Sequence, residues 1–195
     1  VRIITILGSP RKRGNTATVL AVFERLAAAD HQVERVNITD HVVAGCLGCD
    51  ACQDVPDEPG CAQADDAEAI LKRIAASDAV VYATPVYVWC FPAQLKALMD
   101  RHYCLVKWRD GRVASALLEG KRAALLVTCG GAAESNADLI QEVFVREMRY
   151  LRCRAIGTYL VPNCSIPGQL DKSAEPTARR MFDELVGRGA PPQTR

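Results

Sequence analysis

The apolar positions change period several times along the chain, and each change predicts an element. Ile3, Ile4, Ile6 and Leu7 form a short β-branched run, so 2–7 reads as a strand. Residues 8–15, with Pro10 and Gly14, read as a loop. From Thr16 the spacing turns helical, with Val19, Leu20, Phe23, Leu26 and Ala27 on one face. Val33, Val36 and Ile38 alternate as a second strand over 32–38, and 39–64 show no period. Ile70, Leu71 and Ile74 carry a second helix, with Asp65 and Asp66 at its start, where acids complement the helix dipole. Residues 79–83 are a third, buried-type strand. A loop over 84–91 follows, and Pro92 opens a helix carrying Leu95, Leu98 and Met99. Asp110-Gly111 marks a hairpin tip. Two more strands fall at 123–128 and 155–161. Leu139, Ile140, Val143, Phe144 and Met148 mark a helix between them, and Ala178, Met181, Phe182 and Leu185 mark the last one. One domain over 1–187 is expected, with a tail over 188–195.

Strands alternate with helices, and the interior strands are apolar on both faces. This predicts an α/β fold: a doubly wound, five-stranded parallel sheet of order 2-1-3-4-5 with helices on both faces. Its ligand site lies where the order reverses, beyond the carboxyl ends of the first and third strands. Those ends are the loops at 8–15 and 84–91.

Composition narrows the classes. Hydrophobic residues make up 49% and charged residues 24% of the 195 residues, which excludes general disorder. Lys and Arg number 24 against 23 Asp and Glu, so no basic excess points to nucleic acid. The longest uncharged run, 79–95, holds Pro85 and Pro92 and is short for a membrane span. Nine cysteines without a secretory signal suggest a cytoplasmic chain whose thiols are reduced or ligating.

The first loop reads Gly8-Ser9-Pro10-Arg11-Lys12-Arg13-Gly14-Asn15-Thr16. A helix start presents unpaired N–H groups and partial positive charge. Ser9, Asn15 and Thr16 add donors, and Arg11, Lys12 and Arg13 can offset a dianion. Neither the P-loop spacing nor G-x-G-x-x-G is present, which favours a lone phosphomonoester. The competing reading is an ordinary βα turn with a basic surface cluster. The second loop packs Tyr87, Trp89 and Phe91 between Pro85 and Pro92, a stiff shelf for a flat ligand. The N–H groups of Val86 and Tyr87 are expected to reach ring heteroatoms, and Val88 and Phe91 to pack in the core. Tyr87 and Trp89 divide evenly between shelf and core. Thr128, Gly130 and Gly131 follow the fourth strand, where glycine permits close backbone approach.

These motifs, with Pro92-Ala93-Gln94-Leu95-Lys96, Asp100-Arg101 and Thr128-Cys129-Gly130-Gly131, resemble the NAD(P)H-dependent FMN reductase family of flavodoxin-like proteins. The resemblance implies non-covalent FMN. Its phosphate would sit on Ser9, Arg11, Asn15 and Thr16 at the Gly14 turn. Its ring would lie against Pro85, Val86, Tyr87 and Trp89, with Thr128, Gly130 and Gly131 on the other side. NAD(P)H would reduce it, and a quinone, free flavin or other small acceptor would take the electrons. A homodimer or homotetramer is expected, with 103–121 and Trp108 either covering a neighbour's ring edge or forming a surface excursion.

Cys46-x-x-Cys49-x-x-Cys52, followed by Cys61, can wrap one face of a cubane cluster. It resembles the iron–sulfur flavoprotein branch of the same family, which implies [4Fe–4S]. Zinc, and a metal-free loop that packs or forms a disulfide, remain open. The stretch 37–71 holds eight acids and no Lys or Arg, a setting expected to lower a cluster's potential and suited to docking a basic redox protein. An electron carrier is therefore the alternative to the enzyme. Cys90, Cys104, Cys129, Cys153 and Cys164 read as small buried hydrophobes. His102 ends a helix, where a cation is favoured.

Overall fold

Alternation along β1 (Arg2–Leu7) sets the layering. Ile3 and Leu7 point to one face of the sheet, Ile4 and Ile6 to the other, and each pair enters a separate apolar core. The computed structural model describes residues 1–166, 168, 170 and 174–187. The remaining sheet strands are β2 (Gln32–Asn37), β3 (Ala79–Pro85), β6 (Arg122–Thr128) and β7 (Arg154–Val161). They pair in parallel in the order β2-β1-β3-β6-β7, which is the doubly wound order predicted from the five-strand pattern. The chain between β3 and β6 adds a separate antiparallel hairpin, β4 (Val106–Arg109) and β5 (Arg112–Ala116). The predicted tail, 188–195, lies outside the described residues.

Helices α1 (Asn15–Ala27) and α5 (Ala174–Val186) cover the Ile3/Leu7 face, and Phe23, Met181 and Leu185 seal it. Helices α2 (Ala67–Ala76), α3 (Ala93–Asp100) and α4 (Asp138–Tyr150) cover the other face through Ile70, Leu98 and Phe144. Central strands β3 and β6 are buried on both faces, as their unbroken apolar runs require. Edge strand β2 is open on one side and keeps its polar alternation. No helix among the described residues is long and apolar enough to cross a membrane.

The hairpin turns at Asp110 and Gly111, both at positive φ (49° and 71°), the geometry that the Asp-Gly signal demands. Trp108 stacks on Tyr150 at the end of α4, centroids 6.4 Å apart, so the hairpin is fastened to its own chain.

His102 departs from expectation. It lies in the 3-10 turn 101–105 after α3, only 1% exposed, and not at a solvated helix end. Its Nδ1 lies 2.7 Å from Glu147 of α4 and its Nε2 3.4 Å from the Tyr82 hydroxyl of β3. The helix is shorter than its apolar pattern can reveal, and the turn that follows it dives into the core. Cys104, Cys129 and Cys164 are buried as expected, whereas Cys90 and Cys153 are half-buried. Burial pushes the Cys104 and Cys153 thiols up to about 12, which leaves both unreactive near neutrality.

Candidate functional site

The crevice where the strand order reverses is built from four loops. The first, after β1, approaches α3 so closely that a Cβ on Gly8 would sit 2.5 Å from Leu95 Cδ2. Ser9 is buried, and its Oγ accepts the Arg11 N–H at 3.1 Å. The Gly14 N–H closes the turn onto the Arg11 carbonyl at 2.9 Å. Helix α1 then starts with no side-chain cap and no acid in its first turn. The N–H groups of Asn15, Thr16 and Ala17 have no acceptor among the described residues; the first paired one is that of Thr18, which bonds the Gly14 carbonyl. Free N–H groups at a helix start form an anion site.

A cleft of about 250 Å³ opens over this helix start. Ser9, Arg11, Gly14, Asn15 and Thr16 line one side; Pro85, Val86 and Tyr87 line another. Thr128 and Gly130 form its floor with Cys129, Cys164 and Ser165. Among the described residues no carboxylate lines it, and Arg11 is the one cation that does. Of the other two basic residues predicted to offset an anion, Lys12 is tied to Asp40 and neither it nor Arg13 lines the cleft.

Several predicted residues are present with different duties. Asn15 spends its side chain on the loop after β7: Nδ2 donates to the Cys164 and Ile166 carbonyls, both at 2.8 Å, and Oδ1 accepts the Gly168 N–H at 2.9 Å. Its backbone N–H, not its side-chain amide, is what it leaves without an acceptor among the described residues. Thr16 Oγ1 and Thr128 Oγ1 lie 2.6 Å apart and join the first and third walls. The Val86 N–H bonds the Thr128 carbonyl at 3.0 Å and the Tyr87 N–H bonds Cys90 at 2.9 Å, so neither is available to a ring. Gly131 lies off the cleft, with Asn136 Nδ2 3.1 Å from where its Cβ would be.

The aromatic loop is a tight turn. Tyr87 and Cys90 exchange both backbone hydrogen bonds, and the central residues Val88 and Trp89 both have positive φ (48° and 60°). A β-branched residue in that region is strained, by about 1–3 kcal/mol. Val88 is 86% exposed, contrary to the expected core position, because the turn throws it outward; Phe91, just past the turn, is buried as expected. Tyr87 and Trp89 are also exposed, which decides them against the core. Trp89 stands at the rim, its Nε1–H on the Ser135 carbonyl at 3.1 Å. The turn's remaining donors, the N–H groups of Val88 and Trp89, have no acceptor among the described residues.

Residues 1–159 match the sequence profile of the family described as NADPH-dependent FMN reductase. The chain belongs to that family. It is 33% identical over 144 residues to an iron–sulfur flavoprotein of Methanosarcina thermophila, covering 73% of this chain and 71% of the relative. It matches about half the length of two other archaeal iron–sulfur flavoproteins (45% and 51%). Among solved structures it shares the fold of an NAD(P)H:quinone oxidoreductase from Methanothermobacter marburgensis, with TM-score 0.72, 17% identity, and 99% of this chain and 98% of that chain covered. It also shares the fold of an FMN-dependent NADH-azoreductase from Bacillus anthracis in complex with FMN, with TM-score 0.67, 16% identity, and 94% and 96% covered.

In this family member the four predicted cysteines, Cys46, Cys49, Cys52 and Cys61, line one small hollow together with Arg101, Tyr103 and Cys104. Among the described residues no group of three Cys, His, Asp or Glu side chains is close enough to hold a single metal ion. Side chains from distant elements fix the loop. Glu68 accepts the N–H groups of Gly60 and Cys61 at 3.1 and 2.9 Å, and Asp66 accepts that of Val42 at 2.7 Å. Asp65 accepts from Ala44 and Ala67 and pairs with Arg101 at 2.8 Å. The acids at the start of α2 therefore serve as loop anchors, beyond any service to the helix dipole. The acid-only reading of 37–71 also needs correction. Arg101 and Lys107, each 1% exposed, enter beneath the hollow from the turn after α3 and from β4, and bring positive charge that a local window does not contain.

Two outcomes follow. Val88→Gly removes the strained β-branched residue and is expected to raise stability by about 1 kcal/mol in urea denaturation; a loss would refute the strain. Burial opposes ionisation of Asp65, but the bonds from Arg101, Ala44 and Ala67 outweigh it and hold the carboxyl below its ordinary 3.8. A depressed acid stabilises the fold above its unfolded value and loses that contribution as pH falls through the folded one. Asp65→Asn should therefore cost about 3–5 kcal/mol at pH 7, with Arg101 left unpaired. The gap to the unmutated protein should narrow below about pH 4. Denaturation curves across pH 2.5–7 that stay parallel would contradict this.

Proposed function

We propose that this chain is an FMN-dependent oxidoreductase that takes hydride from NAD(P)H and passes electrons to a small acceptor such as a quinone or free flavin. The observation that carries the reading is the helix start: among the described residues, three N–H groups without an acceptor lie beside Arg11, in a cleft that no carboxylate lines, next to an aromatic turn. The residues fit the group. A terminal phosphate matches the N–H groups of Asn15, Thr16 and Ala17, the Ser9 hydroxyl and Arg11. A tricyclic ring matches Pro85, Tyr87 and the Trp89 rim. The N–H groups of Val88 and Trp89 are the donors open to its heteroatoms, two residues later than the sequence suggests.

Bound FMN supplies the capacity to accept a hydride and release the electrons one or two at a time. The chain's own part is placement. The α1 start fixes the phosphate end, the Thr16–Thr128 contact fixes the distance between walls, and the strained turn holds the aromatic shelf rigid. No side chain of the cleft needs to move a proton. A second copy covering the exposed Tyr87–Trp89 rim, and a cytoplasmic setting for the free thiols, belong to the same reading.

The cysteine hollow supports a [4Fe–4S] cluster as a second redox group. Four free thiols line one space, as the four ligands of a cubane cluster must. With Cys46 and Cys49 exposed, this hollow also supports the carrier reading, in which electrons pass to a protein partner.

As-isolated protein should show flavin absorbance that bleaches rapidly on anaerobic addition of NADPH or NADH and returns with a quinone. Bleaching only with a ferredoxin-type donor selects the carrier; protein that stays colourless with excess FMN refutes both. Arg11→Ala removes one charge-assisted bond of about 1.5–3 kcal/mol, so the FMN dissociation constant should rise about tenfold or more, read by quenching of flavin fluorescence. An unchanged constant would move the phosphate elsewhere.

A further inference from the structure

Beneath the cysteine hollow lie two buried cations that differ in how their charge is met. Arg101, with a fully buried side chain, is balanced by Asp65, whose two oxygens accept from its Nη1 and Nη2 at 2.8 and 3.2 Å. Nη1 also donates to the Ala44 carbonyl at 3.0 Å, and Nε–H points at Cys61 Sγ, 3.2 Å away. Lys107 has no such counter-ion. Its Nζ donates to the carbonyls of Cys52 at 2.9 Å and Pro59 at 3.0 Å, and no carboxylate lies within ion-pairing range among the described residues. The carboxylate that acts on it through space, Glu68, is occupied by the N–H groups of Gly60 and Cys61 and by Lys72.

A buried ammonium without an anion is costly, because carbonyl dipoles replace hydration only in part. Evolution of a polar core offers cheaper ways to tie Cys52 to Pro59, such as an amide. Gln53, next to Cys52, already makes ties of that neutral kind, to the Val106 carbonyl at 3.2 Å and the Trp108 N–H at 2.8 Å. What an amide cannot supply is a full positive charge behind the thiols. Four thiolates around a [4Fe–4S] core carry a net charge of about −2 when oxidised, and one more negative charge when reduced.

We propose that Lys107 is the charge-balancing residue of the cysteine hollow, and that Arg101 acts with it through the Nε–H bond to Cys61. Together they ease the reduction of a cluster bound there, against the pull of the acidic stretch 37–71. This inference rests on the cluster reading above and is separate from the flavin. Lys107 at this depth is weakly screened, unlike the exposed acids Asp40, Asp54, Asp57 and Glu58, whose charges face water, and Asp50, which is also exposed, is the acid of that stretch that lines the hollow and opposes it. The count of acids in the sequence therefore leaves out the buried positive charge that the fold brings to the loop.

The test is an anaerobic redox titration of the reconstituted full chain, followed by the paramagnetic signal of the reduced cluster, with iron and sulfide counted on the same samples. Lys107→Gln, which keeps donors but loses the charge, should retain iron and lower the cluster's midpoint potential. Lys107→Arg should restore it toward the unmutated value, and the flavin midpoint should move less than the cluster's in both. Retained iron with an unchanged cluster potential in Lys107→Gln overturns the proposal. Loss of iron in Lys107→Gln with retention in Lys107→Arg supports it, because charge alone separates the two. Loss in both variants overturns it in favour of a purely structural tie. An unmutated protein that takes up no iron and sulfide defeats the cluster reading itself, and this inference with it.

Discussion

Three backbone N–H groups at the start of α1 have no acceptor among the described residues, and much of the crevice is arranged around that fact. An uncapped helix start with no acid in its first turn forgoes the usual sources of local stability. The surroundings keep the amides open: Gly8 lets the loop press against Leu95, Ser9 folds back on Arg11, and Asn15 turns its side chain away. The result is an open helix start at the point of a doubly wound sheet where two loops diverge, the geometry on which the phosphate proposal rests. Placed next to it, the turn at Val88 and Trp89 pays in backbone strain for a fixed aromatic rim.

Much of this was legible from local pattern. The strand order follows from apolar runs alternating with helical stretches, and the hairpin tip follows from Asp110-Gly111, whose positive φ values match that dipeptide. Ten of the predicted cleft residues, from Ser9 to Gly130, do line one cavity, because loops at the carboxyl end of neighbouring parallel strands must converge. The failures have a common cause. The engaged N–H groups of Val86 and Tyr87 depend on where β3 stops pairing with β6 and on a turn closed by Cys90, neither of which composition reveals. Cys164 and Ser165 were missed since the wall they form comes from the far edge strand, β7. The signal was present: a loop following a fifth parallel strand emerges at the same end of the sheet.

The cysteine loop shows the same limit for electrostatics. Within a window of sequence it is purely acidic, yet Asp65, Asp66 and Glu68 are consumed by backbone N–H groups and Arg101, while Lys107 arrives from β4. Charge at a site belongs to the fold, and residues more than 40 positions away set it. The inserted hairpin, which interrupts the regular strand–helix alternation, therefore doubles as the floor of this loop through Lys107 and Trp108.

Asn15 links residues separated by about 150 positions of chain: its amide holds Cys164, Ile166 and Gly168 against the opening turn. During biosynthesis the parallel pairing of β1, β2 and β3 can be completed long before that wall exists. A nascent chain stopped after β6 would have its phosphate-type turn and its aromatic rim but an open flank, with the Asn15 amide facing water. That wall of the cleft is thus added about 150 positions after the turn it closes, so the crevice takes its full shape only once the fifth sheet strand and the loop behind it have been made.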